Sequence, residues 1–208
     1  MSHSTQPVLR AGADYRTARL ALIVVHGRGG SAREMLALAA ELDLDDVAVL
    51  APQAAGNTWY PYSFLSPMDK NEPGLSSGLG VLANLVGELG QAGIEPQRVA
   101  ILGFSQGACL SLEFAARHAR AYGAIVGLSG GLIGPPGTPR DYKGSLAGTP
   151  VFLGCSDVDA HIPVERVRES SDVFRRLGAD VDERIYPGMG HTINTDEIEA
   201  VRTLLRPK

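Results

Sequence analysis

Arg98-Val-Ala-Ile-Leu-Gly-Phe-Ser-Gln-Gly-Ala-Cys-Leu110 decides the reading of this chain. Val99 to Leu102 is a short apolar run, the mark of a buried strand. From Ala108 to Ala116 the apolar residues recur at helical spacing, with Leu110, Leu112 and Phe114 among them. Between strand and helix stands Gly103-Phe-Ser-Gln-Gly107. A Gly-x-Ser-x-Gly turn in that setting is a nucleophile elbow, which holds its serine in a strained conformation with the hydroxyl exposed. The flanking glycines are small because strand and helix pass close together there.

The pattern alone decides nothing, because it also occurs at Gly74-Leu-Ser-Ser-Gly78 and Gly127-Leu-Ser-Gly-Gly131. Ser76 follows a Pro/Gly loop with no strand before it. Ser129 follows a strand but enters Gly-Leu-Ile-Gly-Pro-Pro-Gly, which cannot start a helix. Ser105 alone has strand, turn and helix.

Working outward, apolar runs at Leu20–Val25, Val47–Leu50, Tyr122–Leu128, Pro150–Cys155 and Val181–Tyr186 predict further strands. Helices are predicted after the capping box Ser31-Ala-Arg-Glu34, over Leu75–Gln91, from Pro163 at a first helical position to about Leu177, and after Asn194 or Thr195. Residues 1–18 read as an arm or an edge strand. Strands alternate with helices without a repeat or linker, so one α/β domain over residues 1–208 is expected, a mainly parallel sheet with helices on both faces. In such sheets the site forms on loops beyond the carboxyl ends of the strands.

Those loops carry the chemistry. A serine hydroxyl needs a base. His3 lies in the tail, His118 ends the elbow helix, His26 opens the Gly-rich turn after the first full strand, and His161 follows two candidate acids. His191, in Tyr186-Pro-Gly-Met-Gly-His191, follows the last strand, where the chain order serine, acid, histidine places the base. The base needs an acid to fix its tautomer, and Asp157 and Asp159 both follow the strand ending at Cys155. An oxyanion hole would use the N–H of Gln106, next to the nucleophile, and that of Arg28 in His26-Gly-Arg-Gly-Gly30. The Arg28 side chain points to solvent or to an acidic substrate group. The loop of residues 52–74 supplies Trp59, Tyr60, Phe64 and Leu65 as walls of a modest acyl pocket.

Gly27-Arg-Gly-Gly-Ser-Ala32 also fits a dinucleotide fingerprint. That fingerprint wants an acid at the end of the second strand, and Leu50-Ala-Pro-Gln53 has none. No group of His, Cys and carboxylates has metal-ligand spacing, so neither cofactor nor metal is implied. The 208 residues carry a net charge of −4, which offers no basic patch to nucleic acid. No apolar run is long enough to span a bilayer, and the start does not read as a signal peptide. Cys109 and Cys155 read as buried thiols, and a cytoplasmic location is the default. A homo-oligomer is left open.

With these residues in place the chain resembles the phospholipase/carboxylesterase family of α/β-hydrolases, which includes acyl-protein thioesterases and small bacterial carboxylesterases. The resemblance runs from about Leu20 to Leu205 and rests on His26-Gly-Arg-Gly, Gly103–Gly107, Leu128-Ser-Gly130, Asp159-Ala-His-Ile-Pro163 and Gly188-Met-Gly-His191. It implies an α/β-hydrolase fold without a large cap and selects Asp159 over Asp157. It also sets Trp59-Tyr60 beside the acyl pocket. Two positions depart from the family pattern: Cys155-Ser156 stands where His-Gly is frequent, and His161 where an apolar residue is usual. The implied activity is a serine carboxylesterase acting on a small-molecule ester. The alternatives are an acyl-protein thioesterase or lysophospholipase, or a non-catalytic ligand-binding protein on the same fold. Each buried methylene adds ~0.8 kcal/mol, so a small pocket predicts an optimum at acyl chains of roughly two to six carbons.

Overall fold

The structure, a computed structural model, describes residues 2–207. Seven strands form one sheet: β1 (Val8–Gly12), β2 (Leu20–Val25), β3 (Val47–Pro52), β4 (Val99–Phe104), β5 (Ala124–Leu128), β6 (Pro150–Ser156) and β7 (Asp180–Tyr186). Their order is β1-β3-β2-β4-β5-β6-β7. β1 runs antiparallel on the edge beside β3, and every other pairing is parallel. Four helices connect successive strands, α1 (Ala32–Glu41), α2 (Gly74–Gln91), α3 (Gln106–Arg117) and α4 (Val164–Arg176), and α5 (Thr195–Leu205) follows β7.

Parallel strands buried on both faces need apolar side chains at every position. In β2 the residues Ala21, Ile23 and Val25 enter a core shared with α2, α3 and α4, while Leu20, Leu22 and Val24 enter a second core under α1 and α5. The period-two alternation of the strand thus feeds both layers. The edge strand β7 differs, with Asp180, Asp182, Glu183 and Arg184 along it. Charge on an edge discourages pairing with another chain.

The helix starts follow their local chemistry. Ser31 caps α1, with Glu34 reaching back to complete the box. Asn194 caps α5 in the same way with Glu197. Pro163, expected as a first helical residue, is the extended residue before α4. Tyr122 lies before β5, which begins at Ala124.

β4 lies at the centre of the sheet, between β2 and β5, and its carboxyl end turns abruptly into α3. A Cβ on Gly103 would run into the carbonyl of Gly107, and one on Gly107 into that of Val25. Both positions therefore exclude any side chain, and strand and helix close to backbone contact. The turn between them is carried by Ser105, at φ 54° and ψ −120°.

Candidate active site

Ser105 occupies the left-handed side of φ space without being glycine, a conformation that costs of order 1–3 kcal/mol and persists only where its surroundings over-determine it. Here β4, α3 and the Ser105 N–H, which donates to Leu128 O at 2.9 Å, fix it. The half-buried side chain is aimed at the turn after β7. There the Ser105 hydroxyl lies 2.8 Å from His191 Nε2. His191 Nδ1 lies 2.7 Å from Asp159 Oδ2.

The acid fixes the tautomer of the imidazole. A carboxylate can only accept, so Nδ1 carries the proton and Nε2 is left to accept from Ser105. Asp159 is itself held: its Oδ1 accepts from the N–H groups of His161 at 2.8 Å and Ile162 at 3.0 Å. Burial pushes the Asp159 carboxyl up, but the hydrogen bonds from His191, His161 and Ile162 outweigh it and hold the group below its ordinary value. Asp157, two residues away, turns elsewhere and accepts from the Gly188 N–H at 2.8 Å. It clasps the loops after β6 and β7 together and leaves Asp159 alone beside the histidine.

Both expected oxyanion donors flank the same cavity. Gln106 opens α3, so its N–H has no acceptor within the helix. Neither this N–H nor that of Arg28 has a hydrogen-bond partner among the described residues. His26 shapes the Arg28 loop: its Nε2 accepts from the Ala54 N–H at 3.0 Å, so its Nδ1 carries the proton donated to Gly27 O at 2.7 Å. Burial lowers its pKa, in keeping with a neutral ring.

The cavity above Ser105 measures about 490 Å³, and Tyr60, Phe64 and Ile162 give it apolar walls. Tyr60 and Phe64, expected as walls of an acyl pocket, both line this cavity. Trp59 and Leu65 do not line it. Trp59 is completely buried: its Nε1 donates to His26 O at 2.9 Å and its ring packs on His26 and His3. It props the loop that carries Arg28 through His26 and is no wall of this cavity. Loop side chains have no period from which to read their direction, and only the contacts show it.

Sequence reasoning missed three supports. The Gln106 side chain accepts from the Trp59 N–H at 2.9 Å and donates to Tyr60 O at 2.8 Å, pinning the aromatic loop to the elbow. The Arg28 guanidinium, expected to face solvent or an acidic substrate group, donates to Pro61 O at 2.8 Å and Tyr62 O at 2.6 Å. His3, taken for tail, is buried and bonds Ala55 N–H and Trp59 O at 3.0 and 2.9 Å. None of these leaves a local signal, since partners are 33 to 56 residues apart. Among the described residues, no group of three or more His, Cys, Asp or Glu is placed to share a metal. No described helix is long and apolar enough to cross a membrane.

The phospholipase/carboxylesterase family model matches residues 13–207. The chain belongs to that family. Its members are hydrolases that take in carboxylesterases and acyl-protein thioesterases. A crystal structure of a phospholipase/carboxylesterase from Dyadobacter fermentans is 42% identical and superimposes with a TM-score of 0.95, covering 99% of each chain. Acyl-protein thioesterase 1 of Saccharomyces cerevisiae is 27% identical over 95% of this chain and 96% of its own. The protein of that name from Gibberella zeae is 34% identical, but the alignment spans 59% of this chain and about half, 53%, of that one. The Bacillus cereus carboxylesterase, at 18% identity and a TM-score of 0.79, shares the fold.

Proposed function

We propose that this chain is a serine carboxylesterase working through an acyl-enzyme on Ser105. The observation that carries the reading is the unbroken chain Ser105 Oγ, His191 Nε2, His191 Nδ1, Asp159 Oδ2, with links of 2.8 and 2.7 Å, at the floor of an open cavity. Ser105 Oγ attacks the ester carbonyl as its proton passes to His191 Nε2. The carbonyl electron pair moves onto oxygen, facing the free N–H groups of Arg28 and Gln106. Collapse breaks the bond to the alcohol, which leaves with the proton from His191. Water then gives a proton to His191 and attacks the acyl carbon. The carboxylic acid departs, and Ser105 recovers its proton. Asp159 steadies the imidazolium in both halves without taking the proton itself.

The walls set by Tyr60, Phe64 and Ile162 favour short acyl groups, of roughly two to six carbons on an increment of ~0.8 kcal/mol per methylene. Turnover of p-nitrophenyl esters from acetate to palmitate tests this. Activity that peaks at short chains and a phosphonate label on Ser105 are the expected results. A label on another serine overturns the mechanism, and a palmitate optimum overturns the pocket. A thioester would pass through the same acyl-enzyme, and the yeast relative favours that second reading. An acylated cysteine peptide cleaved faster than the matching p-nitrophenyl ester would establish it.

A further inference from the structure

The cavity has an uneven charge inventory. Arg28 and His161 line it beside His191, and no Asp or Glu does. Asp159, the nearest acid to His191, has a fully buried side chain committed to the histidine and two N–H groups. The Arg28 guanidinium is bound only to two neutral carbonyls, Pro61 O and Tyr62 O, and among the described residues no carboxylate lies within salt-bridge distance of it. Arg19, Arg140 and Arg184 have carboxylate partners, and Arg33, Arg98 and Arg120 have none among the described residues, but Arg28 is the one arginine in the lining of this cavity. The Arg28 charge is thus left at the cavity of a chain whose net charge is −4.

His161 adds a donor. Its backbone N–H is bound to Asp159, but its imidazole has no hydrogen-bond partner among the described residues. The ring is exposed in the cavity, with its centroid 4.9 Å from that of His191. A purely apolar acyl group would give this imidazole no acceptor and the Arg28 charge no counter-charge. An anionic group would engage them, and charge-assisted bonds to such a group are about twice as strong as neutral ones.

From this placement we infer that the preferred acyl group carries a carboxylate, as in a monoester of a short dicarboxylic acid, bound by the His161 imidazole in the field of Arg28. The inference rests on the esterase reading for turnover but not for binding. The uncharged end of such a group lies against Tyr60 and Phe64, and the carboxylate faces the polar side of the cavity.

Monomethyl succinate and methyl butyrate, close in size and different in charge, test it. Hydrolysis followed by pH-stat should give a kcat/KM at least tenfold higher for the monoester. His161→Leu should cut that ratio at least fivefold and His161→Lys should keep most of it. One molar NaCl, which shortens the screening length to about 3 Å, should shrink the ratio as well. Binding of both esters to Ser105→Ala protein, measured by calorimetry, should show the same order, again lost in Ser105→Ala/His161→Leu. If neither ester is hydrolysed while the binding preference stands, the esterase reading falls and the anion site survives. Equal binding and equal turnover of the two esters overturn the anion site and leave the esterase reading intact. A preference unaffected by His161→Leu overturns the role of His161.

Discussion

The tips of β4 and β5 carry the same Gly-x-Ser-x-Gly pattern, and both serines sit at positive φ, 54° at Ser105 and 50° at Ser129. Their surroundings differ. Ser105 leads into α3 and its hydroxyl meets His191. Ser129 leads into coil and is fully buried; its N–H donates to Gly154 O at 2.8 Å, and its hydroxyl has no nitrogen or oxygen partner among the described residues. Strain at a strand tip is therefore shared by both and marks neither. At the first tip a helix follows and the serine lines the cavity, with an imidazole within hydrogen-bond distance of its hydroxyl.

Replacing each serine breaks the comparison most sharply. Ser105→Ala should lower kcat by about 10⁶, the scale seen when a hydrolase nucleophile is removed. Ser129→Ala should keep most of the activity, and its Tm should hold or rise, because an unpartnered buried hydroxyl is lost. Initial rates on p-nitrophenyl acetate with parallel melting curves decide it. Strong loss of rate without loss of Tm in Ser129→Ala would put the second tip in the mechanism.

The loop after β6 holds a second pair that sequence cannot separate. Asp157 and Asp159 share a turn, yet one bonds the backbone of Gly188 and the other the imidazole of His191. Asp159→Asn should lower kcat by about 10⁴, because an amide can donate to Nδ1 and impose the wrong tautomer. Asp157→Asn should cost about tenfold or less, through the loosened loop alone. Purified variants assayed at one pH suffice, and the reverse order would exchange the two roles.

What could be read from the chain follows the same division. β4, the elbow, the capped starts of α1 and α5, and the strand-end positions of Ser105 and His191 are legible because period, glycine and caps act over a few residues. The choice of Asp159 over Asp157 came from family likeness, and its physical basis appears only once Gly188 is in place. Trp59 was misplaced because an aromatic in a loop has no periodic partner to show which way it faces. The clamps from Arg28, Gln106 and His3 join distant segments through single hydrogen bonds, which leave no mark on local pattern.

Gln106 allows the backbone and side-chain contributions at the first tip to be separated. Gln106→Ala keeps the N–H proposed for the oxyanion but drops the bonds to Trp59 N–H and Tyr60 O. A displaced wall of about 1 Å can cost as much as a hundredfold in rate, so kcat/KM should fall by about ten to a hundredfold. The fall should be larger for butyrate than for acetate, which reaches less of the Tyr60 wall. An equal fall for both esters would mean that the side chain acts on the chemistry and not on the pocket.

The smallest effect concerns a second unpartnered group near the β6 tip. Glu197 caps α5 through one carboxylate oxygen, which accepts from Asn194 N–H at 2.9 Å. The other, Oε1, is buried beside Gly154 and Phe152 with no partner. Burial, with a smaller push from Asp196, raises the group to about 7. Its folded pKa therefore lies above the unfolded value near 4.3, and between these pH values the folded state holds a proton that the unfolded state releases. The stability tied to this proton is full below about pH 4 and is lost as pH rises through 7. His26 works in the opposite sense: burial lowers its pKa, so its contribution is lost as pH falls below about 6.5. Glu197→Gln keeps an acceptor for Asn194 and removes the titration. The variant should match the wild type near pH 4.5 and exceed it by on the order of 2 kcal/mol at pH 8. Urea denaturation at the two pH values measures the difference. An unchanged gap between variant and wild type would mean that Glu197 is ionised in both states, with a partner for Oε1 that the protein atoms alone do not supply.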